Sequence, residues 1–98
     1  MVLTSKQRQF LKGLAHPLAP VVRIGRGRLT DSIVEETKKS LLAHELIKVR
    51  IESEDSAERR SIAEKLASAA DAALAGSVGK IVILYRERDE KPSIKLPA

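Results

Sequence analysis

The sequence predicts a small α/β domain, with three helices packed mainly on one face of a four-stranded mixed sheet. Helical and strand-like patterns alternate along the chain in the order α-β-α-β-α-β-β. The length of 98 residues suits one domain over residues 1–98. Hydrophobic residues form 43% of the chain and charged residues 32%, so disorder throughout is excluded. Two helical crossovers in so short a chain imply an open sheet whose other face is partly exposed to solvent.

The first helix is predicted over residues 4–15, because Thr4 and Gln7 have the spacing of a capping box. Pro17 ends it, since proline disfavours helical geometry in the residue before it. The β-rich run "VVRI" at residues 21–24 then predicts a short strand. The apolar residues expected on the buried face of this helix are Phe10, Leu11 and Leu14.

A second helix over residues 30–44 and a strand over residues 45–51 follow. Thr30 is a favourable N-cap, and Asp31 suits the positive end of the helix dipole. The strand alternates apolar and basic residues, which predicts one buried face and one open face. The residues expected on the buried face of the helix are Ile33, Val34, Thr37, Leu41 and Leu42.

The second half of the chain predicts one long helix and two strands. Asp55 begins a helix over residues 56–75, and Gly76 is expected to end it. The nearly continuous apolar run at residues 79–86 predicts a central strand. The alternating segment at residues 93–97 predicts a short edge strand.

Positive charge is concentrated in the first half of the chain. The net charge is +5, and residues 1–50 hold ten Lys and Arg against four Asp and Glu. Such asymmetry indicates a polyanionic partner, either a nucleic acid or an anionic membrane. The chain has no signal-like start, no apolar run of bilayer length and no cysteine. We therefore expect a cytoplasmic protein without a membrane partner.

Catalytic and cofactor motifs are absent from the sequence. A dinucleotide fingerprint would need glycine where Thr30 stands, and a Walker A loop would need Ser or Thr where Ile81 stands. The two histidines, His16 and His44, lie at predicted helix ends, where capping explains them. We therefore expect no enzyme activity, cofactor, metal or small-molecule substrate, and a nucleotide-dependent enzyme remains the alternative.

The stretch "RIGRGRLTD" at residues 23–31 predicts a phosphate-binding loop before the second helix. Gly25 and Gly27 allow the backbone to approach a phosphate closely, and Arg26 and Arg28 supply forked donors suited to phosphate oxygens. A helix N-terminus favours an anion, although the nearby Asp31 opposes one. The alternative is an exposed turn with incidental arginines.

Four stretches in order resemble the CRM domain (chloroplast RNA splicing and ribosome maturation), and in particular its stand-alone bacterial YhbY-like branch. They are "LKGLAHPLAPVVRIG", "LT", "HELIKVRI" and "GKIVILYR". The resemblance implies a fold similar to the C-terminal domain of translation initiation factor three. It also implies RNA binding and association with precursors of the large ribosomal subunit. The family has a G-x-x-G loop, and here Arg28 occupies the fourth position. If that position needs a positive φ, either Arg28 is strained or the bend moves to Gly27.

We accordingly predict a non-enzymatic protein that binds RNA, either ribosomal RNA or precursors of the large subunit, and assists ribosome assembly. Two alternatives stay open: a protein-interaction module that docks through the exposed sheet face, and DNA as the nucleic acid. Base specificity should be modest, since Phe10 and Tyr85 are the only aromatic residues. The predicted RNA-binding residues are Gly25, Arg26, Gly27, Arg28, Arg23, Lys6, Arg8, Lys12, Lys38 and Lys39.

Overall fold

The computed structural model describes residues 2–98, and this part of the chain folds into three α-helices and one sheet. In chain order the elements are α1 (Ser5–Ala15), β1 (Pro20–Ile24), α2 (Asp31–His44), β2 (Leu46–Ile51), α3 (Ser56–Ala69), β3 (Ala73–Val78) and β4 (Ile81–Tyr85), with a 3-10 turn at Gly25–Gly27. The strands lie in the order β1-β2-β4-β3; β1 is parallel to β2, and the other pairs are antiparallel. The predicted class, mixed sheet and element order are confirmed.

Two hydrophobic clusters lie on opposite faces of the sheet. On one face, Val49 and Leu84 pack with residues of α2 and α3 such as Leu66. On the other face, Leu11 of α1 packs with Tyr85 of β4. Two of the three helices thus share one face, as predicted. However, α1 covers much of the face that was expected to be open, through its contacts with β2, β3 and β4.

Three side chains predicted to be buried are instead exposed. Phe10 and Leu14 of α1 are 39% and 42% exposed, and Leu42 of α2 is 69% exposed. The contact stripe of α1 on the sheet is narrow: Leu11 and Ala15, one helical turn apart, are its buried residues. Apolar residues beside such a stripe fall outside the contact, which helical spacing alone does not distinguish.

The third helix ends at Ala69, six residues before the predicted end. The Asp71 amide donates to the Ser68 carbonyl (3.2 Å), and the Ala72 amide donates to the Ala67 carbonyl (2.8 Å). Asp71 itself has φ +54. These bonds form a Schellman motif, in which the left-handed position is usually glycine. The alanine-rich sequence conceals this end, because aspartate takes the place of the expected glycine.

Residues 73–78, predicted to include the end of the helix and its stop at Gly76, form β3 instead. The strand pairs with β4 through a two-residue turn at Gly79–Lys80, and Gly79 has φ +58. Ala73 and Ala75 face the cluster beneath α1. Small side chains with helical propensity therefore form a strand, because pairing with β4 overrides local preference.

The predicted edge strand at residues 93–97 is wrong. This segment has no regular secondary structure, although Ile94 and Leu96 pack against the cluster beneath α1. The Pro97 carbonyl accepts a hydrogen bond from the Gln7 side chain (3.0 Å). The amides of Ser93 and Ile94 bond to the carboxylate of Glu45 rather than to a neighbouring strand.

Glu45 is the buried carboxylate that holds the C-terminal segment. It lies between α2 and β2 with φ +62, and its side chain is fully buried. The carboxylate accepts hydrogen bonds from the amides of Arg88 (2.8 Å), Ser93 (2.7 Å) and Ile94 (3.1 Å) and from the Ser93 hydroxyl (2.7 Å). Burial raises the pKa of Glu45, but these hydrogen bonds outweigh burial and lower the pKa to about 2. The carboxylate is therefore ionised at neutral pH and stabilises the packed segment.

Candidate nucleic-acid interface

The glycine–arginine loop lies at one end of the sheet, where several chain reversals meet. Because β1 and β2 are parallel and β4 is antiparallel to β2, the carboxyl ends of β1 and β2 lie beside the start of β4. The segments at this end, which we call the loop end, are Gly25–Arg28, Glu52–Asp55 and the turn Gly79–Lys80. Both α2 and α3 also begin here.

The loop itself is a tight turn with its strain at an unexpected position. The Arg28 amide donates to the Gly25 carbonyl (3.1 Å). Arg26 has φ 46 and ψ 41, in the left-handed region, whereas Arg28 has φ −96 and ψ 111. Arg28 thus has ordinary extended backbone. The left-handed conformation that the sequence suggested for Arg28 is adopted by Arg26 instead. A Cβ built on Gly25 would meet no atom within 4 Å, so space remains open around this residue.

Arg26→Gly is expected to raise the free energy of unfolding by about 0.5 kcal/mol, because relief of left-handed strain exceeds the added unfolded-state entropy. Arg28→Gly is the matched control, since it changes the same residue type two positions away in relaxed backbone. It should lower stability by about 0.5–1 kcal/mol. Urea denaturation of both variants measures the difference, and the same sign for both would contradict the loop geometry.

The Thr30 side chain caps one backbone amide at the start of α2. The Thr30 side chain accepts a hydrogen bond from the Ile33 amide (3.2 Å), and the Thr30 carbonyl accepts one from the Val34 amide (3.1 Å). Asp31 follows the cap and is exposed. Arg26 and Arg28, which precede this cap, are exposed and carry guanidinium groups of the kind that suits phosphate oxygens.

Ion pairs divide the basic residues of the loop end into two groups. Arg50 is paired with Glu52, and Lys80 is paired with Glu54 (2.5 Å). The Arg50 hydrogen bond lowers the pKa of Glu52, and the charges of Arg50, Lys80 and Arg23 lower it further.

The second group is free of ion pairs. Within residues 2–98, Arg23, Arg26 and Arg28 form no ion pair. Arg23 is exposed on β1, directly before the loop, and lies in register with Arg50 on β2. We call these three arginines the basic loop surface. Their charge is not neutralised by a protein carboxylate, so it is available to an external anion.

The structure does not bring all predicted site residues to this surface. Lys6, Arg8 and Lys12 are exposed on α1, on the sheet face opposite α2 and α3. The stem of Lys12 crosses β3 so closely that a Cβ on Gly76 would lie 2.9 Å from Lys12 Cδ. These cations therefore extend the positive charge along a second element.

Lys38 and Lys39 lie two turns along α2, away from the loop end. Lys38 is paired with Glu35 (3.5 Å). Both lysines line a separate cavity of about 240 Å³ with Arg86 and Arg88. Glu87 and Asp89 line the same cavity, so this is a region of mixed charge, distinct from the basic loop surface.

Sequence reasoning missed four other basic residues near the loop end. Arg50, Arg59, Arg60 and Lys80 were not predicted as site residues, although Arg50 was placed on the open side of its strand. Arg59 donates to the Ser53 carbonyl (2.6 Å), and Arg60 is paired with Glu64 (3.3 Å). The adjacent pair "RR" one turn into a helix was the available signal.

Within residues 2–98, every helix is too short or too polar to span a bilayer. The same range brings together no group of three or more His, Cys, Asp or Glu side chains that could hold a metal ion.

Comparison with known proteins connects this geometry to a family. The family model for the CRS1/YhbY (CRM) domain matches residues 3–86. The chain belongs to the CRM family. A Haemophilus influenzae RNA-binding protein is 41% identical over 95 residues, which cover 97% of this chain and 95% of the relative. The probable RNA-binding protein YqeI of Bacillus subtilis is 33% identical over 96 residues, which cover 98% and 100%.

A similar fold is also found among solved structures. A hypothetical Staphylococcus aureus protein, proposed to bind RNA and solved in solution, superposes with a TM-score of 0.87 and 32% sequence identity. The match covers 98% of this chain and 100% of that protein. The resemblance inferred from the sequence is therefore confirmed at the level of family and fold.

Proposed function

We propose that this protein binds RNA through the basic loop surface, by contacts to the sugar–phosphate backbone. The observation that supports this most directly is the set of exposed arginines without ion pairs at residues 23, 26 and 28. Guanidinium groups bind phosphate oxygens through two donors at once. The relatives in the CRM family are named as RNA-binding proteins, which agrees with this assignment.

The loop backbone contributes to the proposed contact through Gly25 and Gly27. Open space around Gly25 lets a phosphate approach the main chain without meeting a Cβ. Lys6, Arg8 and Lys12 on α1 widen the footprint, and Lys38 and Lys39 add weaker, more distant attraction. Tyr85 is fully buried and unavailable for base stacking, which leaves Phe10 of α1, 39% exposed, as the one aromatic ring that a base could reach. Recognition should therefore depend on RNA shape and charge more than on sequence.

The RNA that we propose is ribosomal RNA within precursors of the large subunit, with the protein assisting assembly as a non-enzymatic domain in the cytoplasm. The CRM resemblance supports this target, and backbone recognition suits an RNA that is folded. The alternative of a protein-interaction module has less support, because α1 covers much of the sheet face that would serve for docking. Crosslinking the tagged protein in cells and sequencing the attached RNA tests the target. Reads spread evenly over all transcripts would contradict it.

The double variant Arg26→Ala, Arg28→Ala tests the basic loop surface. Titrating a structured RNA at several salt concentrations should show weaker binding and a log–log salt slope reduced by about 1.4–1.8, since two phosphate contacts are lost. Lys65→Ala with Lys95→Ala is the matched control, because both lysines are exposed and the net charge changes equally. Equal affinity and slope for the loop variant and the wild type would refute the proposal.

A further inference from the structure

A second basic surface lies on the opposite edge of the sheet from β1. A groove with a volume of about 850 Å³ runs between α1 and α3 along the outer edge of β3. We call it the β3 groove. Its walls carry Arg8 from α1 and Arg59 and Arg60 from α3, and its floor includes Gly76 and Ser77 of β3.

The charge of the β3 groove is only partly neutralised. Within residues 2–98, Arg8 forms no ion pair. Arg59 uses one guanidinium nitrogen on the Ser53 carbonyl and keeps its other donors. Arg60 pairs with Glu64, but both side chains are largely exposed, so the pair is weak and can be exchanged for an external anion. Three arginines thus line the groove with one carboxylate, that of Glu64, and the charge of Glu54 also interacts with Arg59.

This groove is separate from the basic loop surface. The strands β1 and β3 are the two edges of the sheet, three inter-strand spacings or about 14 Å apart. The acidic segment Glu52–Asp55 precedes α3 and lies at the end of β2, between the two edges. Lys80 and Arg50 are neutralised by this segment. The two basic surfaces are therefore divided by paired charge and do not form one continuous patch.

The geometry of the groove indicates what it accepts. A β-bulge interrupts the register of β3 between Leu74 and Gly76, and such a bulge disfavours addition of a peptide strand along this edge. A cavity of this volume accommodates a small extended group. An unpaired, negatively charged nucleic-acid strand suits this volume and does not need to pair with the edge of β3.

We propose that the β3 groove binds the sugar–phosphate backbone of an unpaired RNA segment, while the basic loop surface holds a structured part of the same RNA. This inference rests on the proposed RNA-binding function and extends it to a second contact. The N-terminal amides of α3 are occupied by the Asp55 carboxylate, which accepts from the Ala57 amide (2.9 Å), so the arginines supply the donors.

The test uses two RNAs: a hairpin, and the same hairpin with a single-stranded 3′ extension. For the wild type, the extension should increase affinity. The variant Arg59→Ala, Arg60→Ala should bind the bare hairpin as the wild type does, and should lose about tenfold in affinity for the extended RNA. Its salt slope on the extended RNA should fall by about 1.4. The control Lys65→Ala, Lys95→Ala should retain the gain from the extension.

A second variant separates the loss of positive charge in the groove from the loss of the Arg59–Ser53 hydrogen bond. Arg60→Glu changes a side chain that is 81% exposed, so it should fold normally and still lose the gain from the extension. No gain from the extension in the wild type, or an unchanged gain in both groove variants, would overturn the inference. An acidic peptide that competes with the single-stranded extension but not with the hairpin would also overturn the inference. Failure of the proposed function is distinct, because it appears as unchanged hairpin binding by the variant Arg26→Ala, Arg28→Ala.

Discussion

Replacing Glu45 with glutamine is expected to lower the free energy of unfolding by about 3 kcal/mol at pH 7. The fully buried carboxylate accepts four hydrogen bonds from the C-terminal segment. An amide of the same shape presents an NH₂ group to some of these donors and leaves them unsatisfied. Urea denaturation measures the loss. Glu90→Gln, an exposed carboxylate in the same segment, is the control and should change stability by less than about 0.5 kcal/mol.

The effect of Glu45 should depend on pH in a defined direction. Its pKa is about 2 in the folded protein, below the ordinary value of 4.5. A lowered pKa gives stability that is fully present above the unfolded value and is lost as the pH falls toward the folded value. The difference between wild type and Glu45→Gln should therefore shrink between about pH 5 and pH 2. A difference that stays constant over this range would show that the charge of Glu45 does not stabilise the fold.

Leu41→Ala should lower the free energy of unfolding by about 3 kcal/mol, whereas Leu42→Ala should change it by less than about 0.5 kcal/mol. Leu41 is completely buried against the sheet, and its neighbour Leu42 is 69% exposed. The two substitutions remove the same atoms from adjacent positions of α2, so helix propensity cancels in the comparison. Thermal and urea unfolding measure both variants. Equal losses would mean that α2 is rotated relative to the described packing.

The elements that the sequence predicted well are those with local signals. The Thr4–Gln7 capping box forms as predicted, and Thr30 caps α2. The central position of β4 follows from its continuous apolar run. Each of these signals acts within a few residues, through backbone caps or through alternation along one strand.

The errors lie where pairing or packing with another segment decides the structure. Residues 73–75 have helical composition and were predicted as the end of α3, yet pairing with the next strand, β4, places them in β3. The segment at residues 93–97 alternates like a strand, yet its amides bond to Glu45, almost fifty residues away in sequence. In both segments, hydrogen bonds to another part of the chain override the local secondary-structure preference. A paired strand and a satisfied buried carboxylate each provide several such bonds at once.

The candidate site was likewise predictable from the sequence only in part. Residue types and spacing identified the loop with Arg26 and Arg28, since glycine and arginine in this order suit a phosphate contact. They did not distinguish free cations from paired ones. Glu54 and Lys80, which are 26 residues apart, form an ion pair, and Arg23 forms none within residues 2–98.

By itself, the sequence determined the α/β class, the family, the helix starts and the basic character of the first half, because caps, periodicity and charge act over short distances. Only the tertiary structure decided which arginines stay unpaired, that Arg26 rather than Arg28 bears the left-handed strain, and that a second groove opens beside β3. The physical reason is that charge neutralisation, turn geometry and cavity shape depend on contacts between segments whose distance in space the sequence does not show.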